Sequence, residues 1–197
     1  MKNNNALESM LSRAQIEVDG VAIERLERFA QLLHEWNGTH NLTGAKSLPA
    51  IYENIVDSLY PLTFVDRPDS LLDVGTGAGF PGLVLAVAWP QVPTVLAEPL
   101  GKRAAFLKYA AMELELTKVE VARKRVERLE HPPFGLITSR AVTDTQLLLD
   151  LTQHVVDEQT QYLFYKGSRV TEEVDGLTKL ENYAIVQRNK RNFLWIK

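Results

Sequence analysis

Residues 71–82 read LLDVGTGAGFPG: an apolar run holding one acid, Asp73, then glycines at 75, 77, 79 and 82. Glycine loses more freedom on ordering than any other residue, so such a cluster marks a sharp turn or a close approach of backbone to ligand. The run 71–74 reads as the end of a buried strand, and LVLAVAW at 83–89 as an apolar helix. Strand, glycine turn and helix in that order aim backbone N–H groups and a helix N-terminus at a ligand. Spacing narrows the choice. A phosphate-binding P-loop needs Gly-Lys-Ser/Thr, which Gly79-Phe80-Pro81 does not supply. The dinucleotide pattern G-x-G-x-x-G begun at Gly75 requires glycine where Phe80 stands. What remains is Asp-x-Gly-x-Gly-x-Gly, running from Asp73 through Gly75, Thr76 and Gly77 to Gly79.

That pattern looks like the S-adenosylmethionine loop of Rossmann-like methyltransferases. Glu98 follows the first glycine by about two dozen residues, where an acid accepts hydrogen bonds from the hydroxyls of an adenosine ribose. Its plain alternative is an exposed carboxylate at a strand end. Asp73 favours a sulfonium donor over a nicotinamide dinucleotide, because a carboxylate sits poorly beside a pyrophosphate. Open parallel sheets bind ligands outside the carboxyl ends of their strands. The other strand ends carry Arg123-Lys124-Arg125-Val126-Glu127, Ser139-Arg140 and Lys166-Gly167, so polar groups converge there although the strand interiors are apolar.

The elements that must position these residues follow from periodicity. From Ala6 to about Tyr60 the pattern is helical, with one amphipathic helix stopping near Asn37-Gly38 and a second over 48–59 capped by Ser47. From Ser70 strands are expected at 70–75, 93–98, 118–122, 134–139 and 161–166, with helices at 81–89, 101–115, 144–156 and about 169–178. Strands near 183–188 and 192–197 close the chain. Such alternation predicts an α/β fold: a mostly parallel doubly wound sheet with an antiparallel edge strand. The expected organisation is a helical extension at 1–66 and a Rossmann-like methyltransferase core at 67–197.

At 197 residues the chain has room for one complete core, and 45% apolar with 24% charged residues is ordinary for a globular protein. No apolar run approaches the roughly 20 residues of a membrane span, and MKNNNALESM lacks a secretory apolar segment, so a cytoplasmic protein is expected. The absence of cysteine excludes disulfides, thiolate metal sites, iron–sulfur clusters and cysteine nucleophiles. It thereby excludes pyrimidine C5 methylation through a cysteine adduct and radical methylation. The histidines are scattered, so no metal is expected. The net charge of −3 hides an asymmetry: residues 1–100 hold 6 Lys/Arg against 12 Asp/Glu, and residues 101–197 hold 16 against 13. Basic residues group as Lys102/Arg103/Lys108, Arg123/Lys124/Arg125/Arg128 and Arg188/Lys190/Arg191. Such patches bind phosphate backbones or are merely solvated faces.

His131-Pro132-Pro133-Phe134 has the look of the Asp/Asn-Pro-Pro-aromatic motif of amino-methyltransferases, but it precedes its strand and so lies at the wrong edge of the sheet. With WNGTHNLT in the helical part, NIVDS at 54–58, DVGTGAGFPG, LGKRAAFL at 100–107, RVE at 125–127, SRA at 139–141 and YKG at 165–167, the chain resembles the RsmG (GidB) family of bacterial small-subunit ribosomal RNA methyltransferases. The resemblance implies methyl transfer from S-adenosyl-L-methionine, leaving S-adenosyl-L-homocysteine, to N7 of a guanine in 16S rRNA near the decoding centre. It further implies that Asp73 and the loop through Gly75, Thr76, Gly77 and Phe80 serve the methionine and sulfonium part, Glu98 the ribose, and Val126 and Glu127 the adenine. Arg140 would border cofactor and base as a positioning group. Lys102, Arg103, Arg123 and Lys166 would face RNA. The expected partner is 16S rRNA or the small subunit, met by a monomer. Asn54 stands where the family usually has histidine, and Gly135 replaces a common aspartate.

Guanine N7 has a lone pair and no proton, so attack on a sulfonium methyl needs no general base. A same-fold methyltransferase acting on a protein or small molecule is the alternative, weakly favoured by the acidic N-terminal half. A non-enzymatic RNA binder and a nicotinamide dehydrogenase fit the loop less well.

Overall fold

The central strands are buried almost throughout, as in a sheet covered by helices on both faces, with successive side chains meeting opposite layers. A computed structural model describes residues 6–177, 182–189 and 191–197. The strands are β1 (Leu71–Val74), β2 (Thr94–Ala97), β3 (Val119–Ala122), β4 (Leu136–Arg140), β5 (Gln161–Lys166), β6 (Tyr183–Arg188) and β7 (Arg191–Ile196), in spatial order β3-β2-β1-β4-β5-β7-β6. β1 to β5 run parallel, while β7 pairs antiparallel with both β5 and β6. The expected antiparallel closing pair is present, but β7 inserts between β5 and β6 and is not itself the edge. That insertion brings the start of β7, Arg191, to the same end of the sheet as the carboxyl ends of β4 and β5.

The helices are α1 (Ala6–Arg13), α2 (Gly20–His40), α3 (Leu48–Leu59), α4 (Gly82–Ala88), α5 (Gly101–Glu113), α6 (Thr145–Thr152) and α7 (Val170–Asp175). One face of the sheet presents Leu72, Val95, Ile137, Phe164 and Leu194 to Leu148, Val170 and Val174 of α6 and α7. On the other face, α1 to α3 share an apolar cluster with α4 and α5, built from Leu26, Phe29, Leu33, Ile51, Ile55, Leu83, Phe106 and Leu107. Each fully buried side chain of this size stabilises by about 1.5–3 kcal/mol. An ion pair of 2.8 Å between Arg28 and Glu113 lies over the α2–α5 contact.

Three local expectations change. α2 does not stop at Gly38 but runs to His40 and is capped by Asn41 in the left-handed region, φ 51°, whose N–H bonds to Asn37 O. Asn37 cannot end the helix because its buried side chain is engaged beyond it, accepting from Thr43 N–H and donating to Ala45 O. The helix expected over 144–156 gives way to a 3-10 turn at Gln153–Val155, and the one expected over 169–178 is Val170–Asp175, position 178 lying outside the described residues. α3 matches its expected bounds, with Ser47 Oγ accepting from Ala50 N–H. Phe134 is buried and its ring stacks on His131 at 4.1 Å, so the HPPF segment is a packed loop leading into β4.

Gly82 begins α4 where a Cβ would overlap both Asp73 and Leu96. Overpacking of this kind costs about 1–3 kcal/mol. Gly82→Ala is therefore expected to lower stability by that amount in a urea titration. An unchanged midpoint would contradict the close packing of helix on strand.

Candidate active site

The glycine loop leaves β1 with Gly75, Gly77 and Gly79 at φ +67°, +60° and +102°, a region L side chains rarely enter. At Gly75 a Cβ would also overlap Val142, in the loop after β4. Thr76 places its hydroxyl in the interior without a well-formed hydrogen bond. This is a cradle made by backbone, and the sharp turn expected after β1 is present.

Asp73 does not face outward from that cradle. It is fully buried; one oxygen accepts from Gly82 N–H and the other from the Thr138 hydroxyl, both at 2.8 Å. Its expected place among the cofactor contacts is corrected: the carboxylate ties β1 to the first turn of α4 and to β4. Burial pushes its pKa up to about 6, against the pull of the Thr76 and Thr138 hydroxyls, the Gly82 N–H and the charge of Arg140.

Glu98, at the end of β2, accepts from Gly77 N–H at 3.0 Å and from Leu100 N–H at 2.8 Å. Each of its oxygens keeps a free lone pair. The acid therefore braces the glycine loop and still has capacity for hydroxyl donors. Val126 packs its side chain into the core from a 3-10 turn, whereas Glu127 is exposed. Lys102 and Arg123 are exposed and Arg103 is half-buried, on the β2–β3 flank. The Arg123 guanidinium lies against Gly101 at the start of α5.

Arg140 ends β4 on the other flank of the loop. Its guanidinium carbon sits 5.0 Å from the centre of the Phe80 ring, which meets Phe29 edge-on at 5.5 Å. One terminal nitrogen donates to Asn54 Oδ1 at 3.0 Å; the other is buried with no hydrogen-bond partner. Burial, then the charge of Arg191, lowers the pKa of Arg140. Asn54 is itself oriented, donating its amide to Ala50 O.

The NIVDS segment thus becomes intelligible as one face of α3. Asn54 holds Arg140; Asp57 pairs with Arg188 at 2.6 Å; Ser58 O accepts from the buried Tyr165 hydroxyl at 2.7 Å. The spacing i, i+3, i+4 places all three on one side of a helix, a signal present in the sequence but without a direction until the sheet is in place. Lys166 is the clearest correction. It is not RNA-facing: its ammonium is buried, 2.7 Å from Glu173, and donates to Thr143 O. Gly135 lies just before β4, far from the carboxyl ends, with its N–H on the Ser70 hydroxyl.

The family profile described as rRNA small subunit methyltransferase G (GidB) matches residues 22–194. The chain is 48% identical to the ribosomal RNA small subunit methyltransferase G of Wolinella succinogenes, over 97% of each chain. It is 44% identical to that of Aliarcobacter butzleri, over 97% of this chain and 98% of the other. The chain belongs to the rRNA small subunit methyltransferase G family. Its fold is Rossmann-like: a putative O-methyltransferase structure from Klebsiella pneumoniae superposes with a TM-score of 0.63 over 98% of this chain and 96% of the other, at 16% identity. Among the described residues no group of three or more His, Cys, Asp or Glu is placed to hold a metal, and no helix is long and apolar enough to cross a membrane. The backbone cradle and the spare lone pairs of Glu98 suit the S-adenosylmethionine expected of this family.

The raised pKa of Asp73 carries a stability consequence. Because the native state holds this proton more tightly than the unfolded chain, its contribution is full below about 4 and is lost as pH rises through about 6. Wild-type stability should fall by roughly 3 kcal/mol relative to Asp73→Asn over that window. Urea titrations of both proteins across it check this; a difference that does not vary with pH would contradict it.

Proposed function

We propose that the protein transfers a methyl group from S-adenosyl-L-methionine to N7 of a guanine in 16S rRNA near the decoding centre of the small subunit. The observation that carries this reading is Arg140: a guanidinium fixed by Asn54 and Phe80 beside the glycine loop, with one buried nitrogen still free to donate. Family membership supports rRNA as the substrate class.

In this reading the backbone of Gly75–Gly77 and the Thr76 hydroxyl hold the methionine end, and Glu98 takes the ribose hydroxyls. Val126 and Glu127 border the adenine. When bound, the donor supplies an electrophilic methyl on a sulfonium. The protein's work is then alignment, which is worth several kcal/mol when a nucleophile is held in line. Arg140 suits that work and not proton transfer, since a guanidinium stays protonated. Its free N–H donors can hold O6 of a guanine or a neighbouring phosphate. No residue is required to remove a proton, because N7 bears none. A looped-out base is the favoured target, as unstacking costs least there.

The deciding experiment is transfer of labelled methyl to small-subunit particles and to 16S rRNA from cells lacking the gene, followed by nucleoside analysis. Label in 7-methylguanosine is expected. Cofactor binding without transfer to either substrate would favour a protein or small-molecule acceptor instead.

Two further outcomes are expected. Arg140→Ala should lower turnover by at least about 100-fold while S-adenosylhomocysteine, at 100 times its dissociation constant, still adds about 2.7 kcal/mol of stability. Asn54→Ala, which releases one hydrogen bond to a charged group, should lower kcat by roughly tenfold or more. Full activity in Arg140→Ala would remove that residue from the mechanism.

A further inference from the structure

A sizeable cavity lies away from the glycine loop. It is a groove of about 1040 Å³ between α1, α3 and the β6–β7 turn, lined by Arg13, Glu53, Asp57, Tyr60, Arg188 and Arg191 among others. Its floor is built. Arg188 pairs with Asp57 at 2.6 Å and lies over the Tyr60 ring at 5.3 Å, and Arg191 Nε stands 3.6 Å from the second Asp57 oxygen. That Nε is buried and has no hydrogen-bond partner, the same condition as the free terminal nitrogen of Arg140.

Two guanidiniums therefore flank one carboxylate, whose charge also reaches Arg140. Asp57 fully engages Arg188 only, and the charge of Arg191 is felt at Arg140, whose pKa it lowers. A cluster with surplus positive charge and unused donors, open to a groove, is suited to an anion with several acceptor oxygens. Its place in the fold names which anion. Arg140 ends β4 and Arg191 begins β7, at the same end of the sheet; β7 is two strands from β4, about 10 Å at the usual spacing. The glycine loop and Glu98 lie in the opposite direction, at β1 and β2.

We propose that this groove binds a phosphodiester of the rRNA strand next to the target guanine, with Arg188 and Arg191 as its ligands and Asp57 holding them in place. The assignment rests on the RNA reading above. It places an RNA anchor on the β4–β7 flank, away from Lys102, Arg103 and Arg123. The route is geometrically simple: a base held at Arg140 leaves its adjoining backbone over the groove, where single-stranded RNA is gripped through phosphates.

The test compares wild type with Arg188→Gln, Arg191→Gln, the double variant and Arg188→Lys, using purified 16S rRNA across a salt series. Melting curves and S-adenosylhomocysteine binding establish that each variant is folded with its cofactor site intact. The double variant should raise KM for rRNA about tenfold or more, with kcat near that of wild type. The dependence of log K on log salt should become shallower by about 0.7 in the double variant, the share of one neutralised phosphate, and by part of that in Arg188→Gln alone. Arg188→Lys should keep the wild-type slope, because the charge remains. Should Arg191→Gln not fold, Arg188→Gln carries the decision. Wild type that methylates rRNA while folded variants keep its KM and salt slope overturns the groove assignment alone. Wild type that binds cofactor but neither binds nor methylates rRNA overturns the RNA reading and this assignment with it.

Discussion

A carboxylate removed from water must have its acceptors filled, and Asp73 fills them with parts of the protein that have to be near one another. One oxygen takes the Gly82 N–H at the start of α4, and the other takes the Thr138 hydroxyl on β4. Breaking either bond would leave a buried acceptor unpaired, at a cost of about 1–3 kcal/mol. The strand before the glycine loop, the helix after it and the neighbouring strand that ends in Arg140 are thereby fixed relative to one another. Glu98 adds the second tie by accepting from Gly77 N–H across to β2. The loop between these ties has left-handed backbone at three glycines, a conformation that persists only where its surroundings hold it.

α3 supplies the other half of the arrangement. Its apolar residues Ile51 and Ile55 join the core with α2 and α4, and this burial sets the rotation of the helix. With that rotation fixed, Asn54, Asp57 and Ser58 turn toward the sheet and meet Arg140, Arg188 and Tyr165. The N-terminal helices are thus part of the site and not only packing against it. Asparagine at position 54 accepts from a cation without competing charge, so the guanidinium keeps its donors for something else.

The two flanks of the loop differ in kind. On the β2–β3 side the basic residues are exposed or half-buried and Glu98 is the buried acid. On the β4–β7 side Arg188 and Arg191 gather at Asp57, while Arg140 and Arg188 lie over aromatic rings. Lys166 belongs to neither, since its charge is neutralised by Glu173 within the fold. A strand-end lysine in the sequence gives no sign of this: the residue type reports charge, whereas burial and pairing depend on what packs above it, here α7.

Much was legible in the chain itself because it is local. Apolar runs, helical periodicity and turn residues set the strand and helix order, Ser47 set the start of α3, and the glycine spacing set the loop and excluded two nucleotide motifs. Glu98 and Arg140 were legible as strand ends for the same reason. The tertiary structure alone decided directions and partners. It turned Asp73 inward, buried Lys166, carried α2 past Gly38 to Asn41, and inserted β7 beside β5 so that Arg191 and Arg188 stand near Arg140. Each of these depends on contacts between residues far apart in the chain. Periodicity fixes which side of an element is apolar, but only packing and the need to pair every buried polar group fix what that element meets.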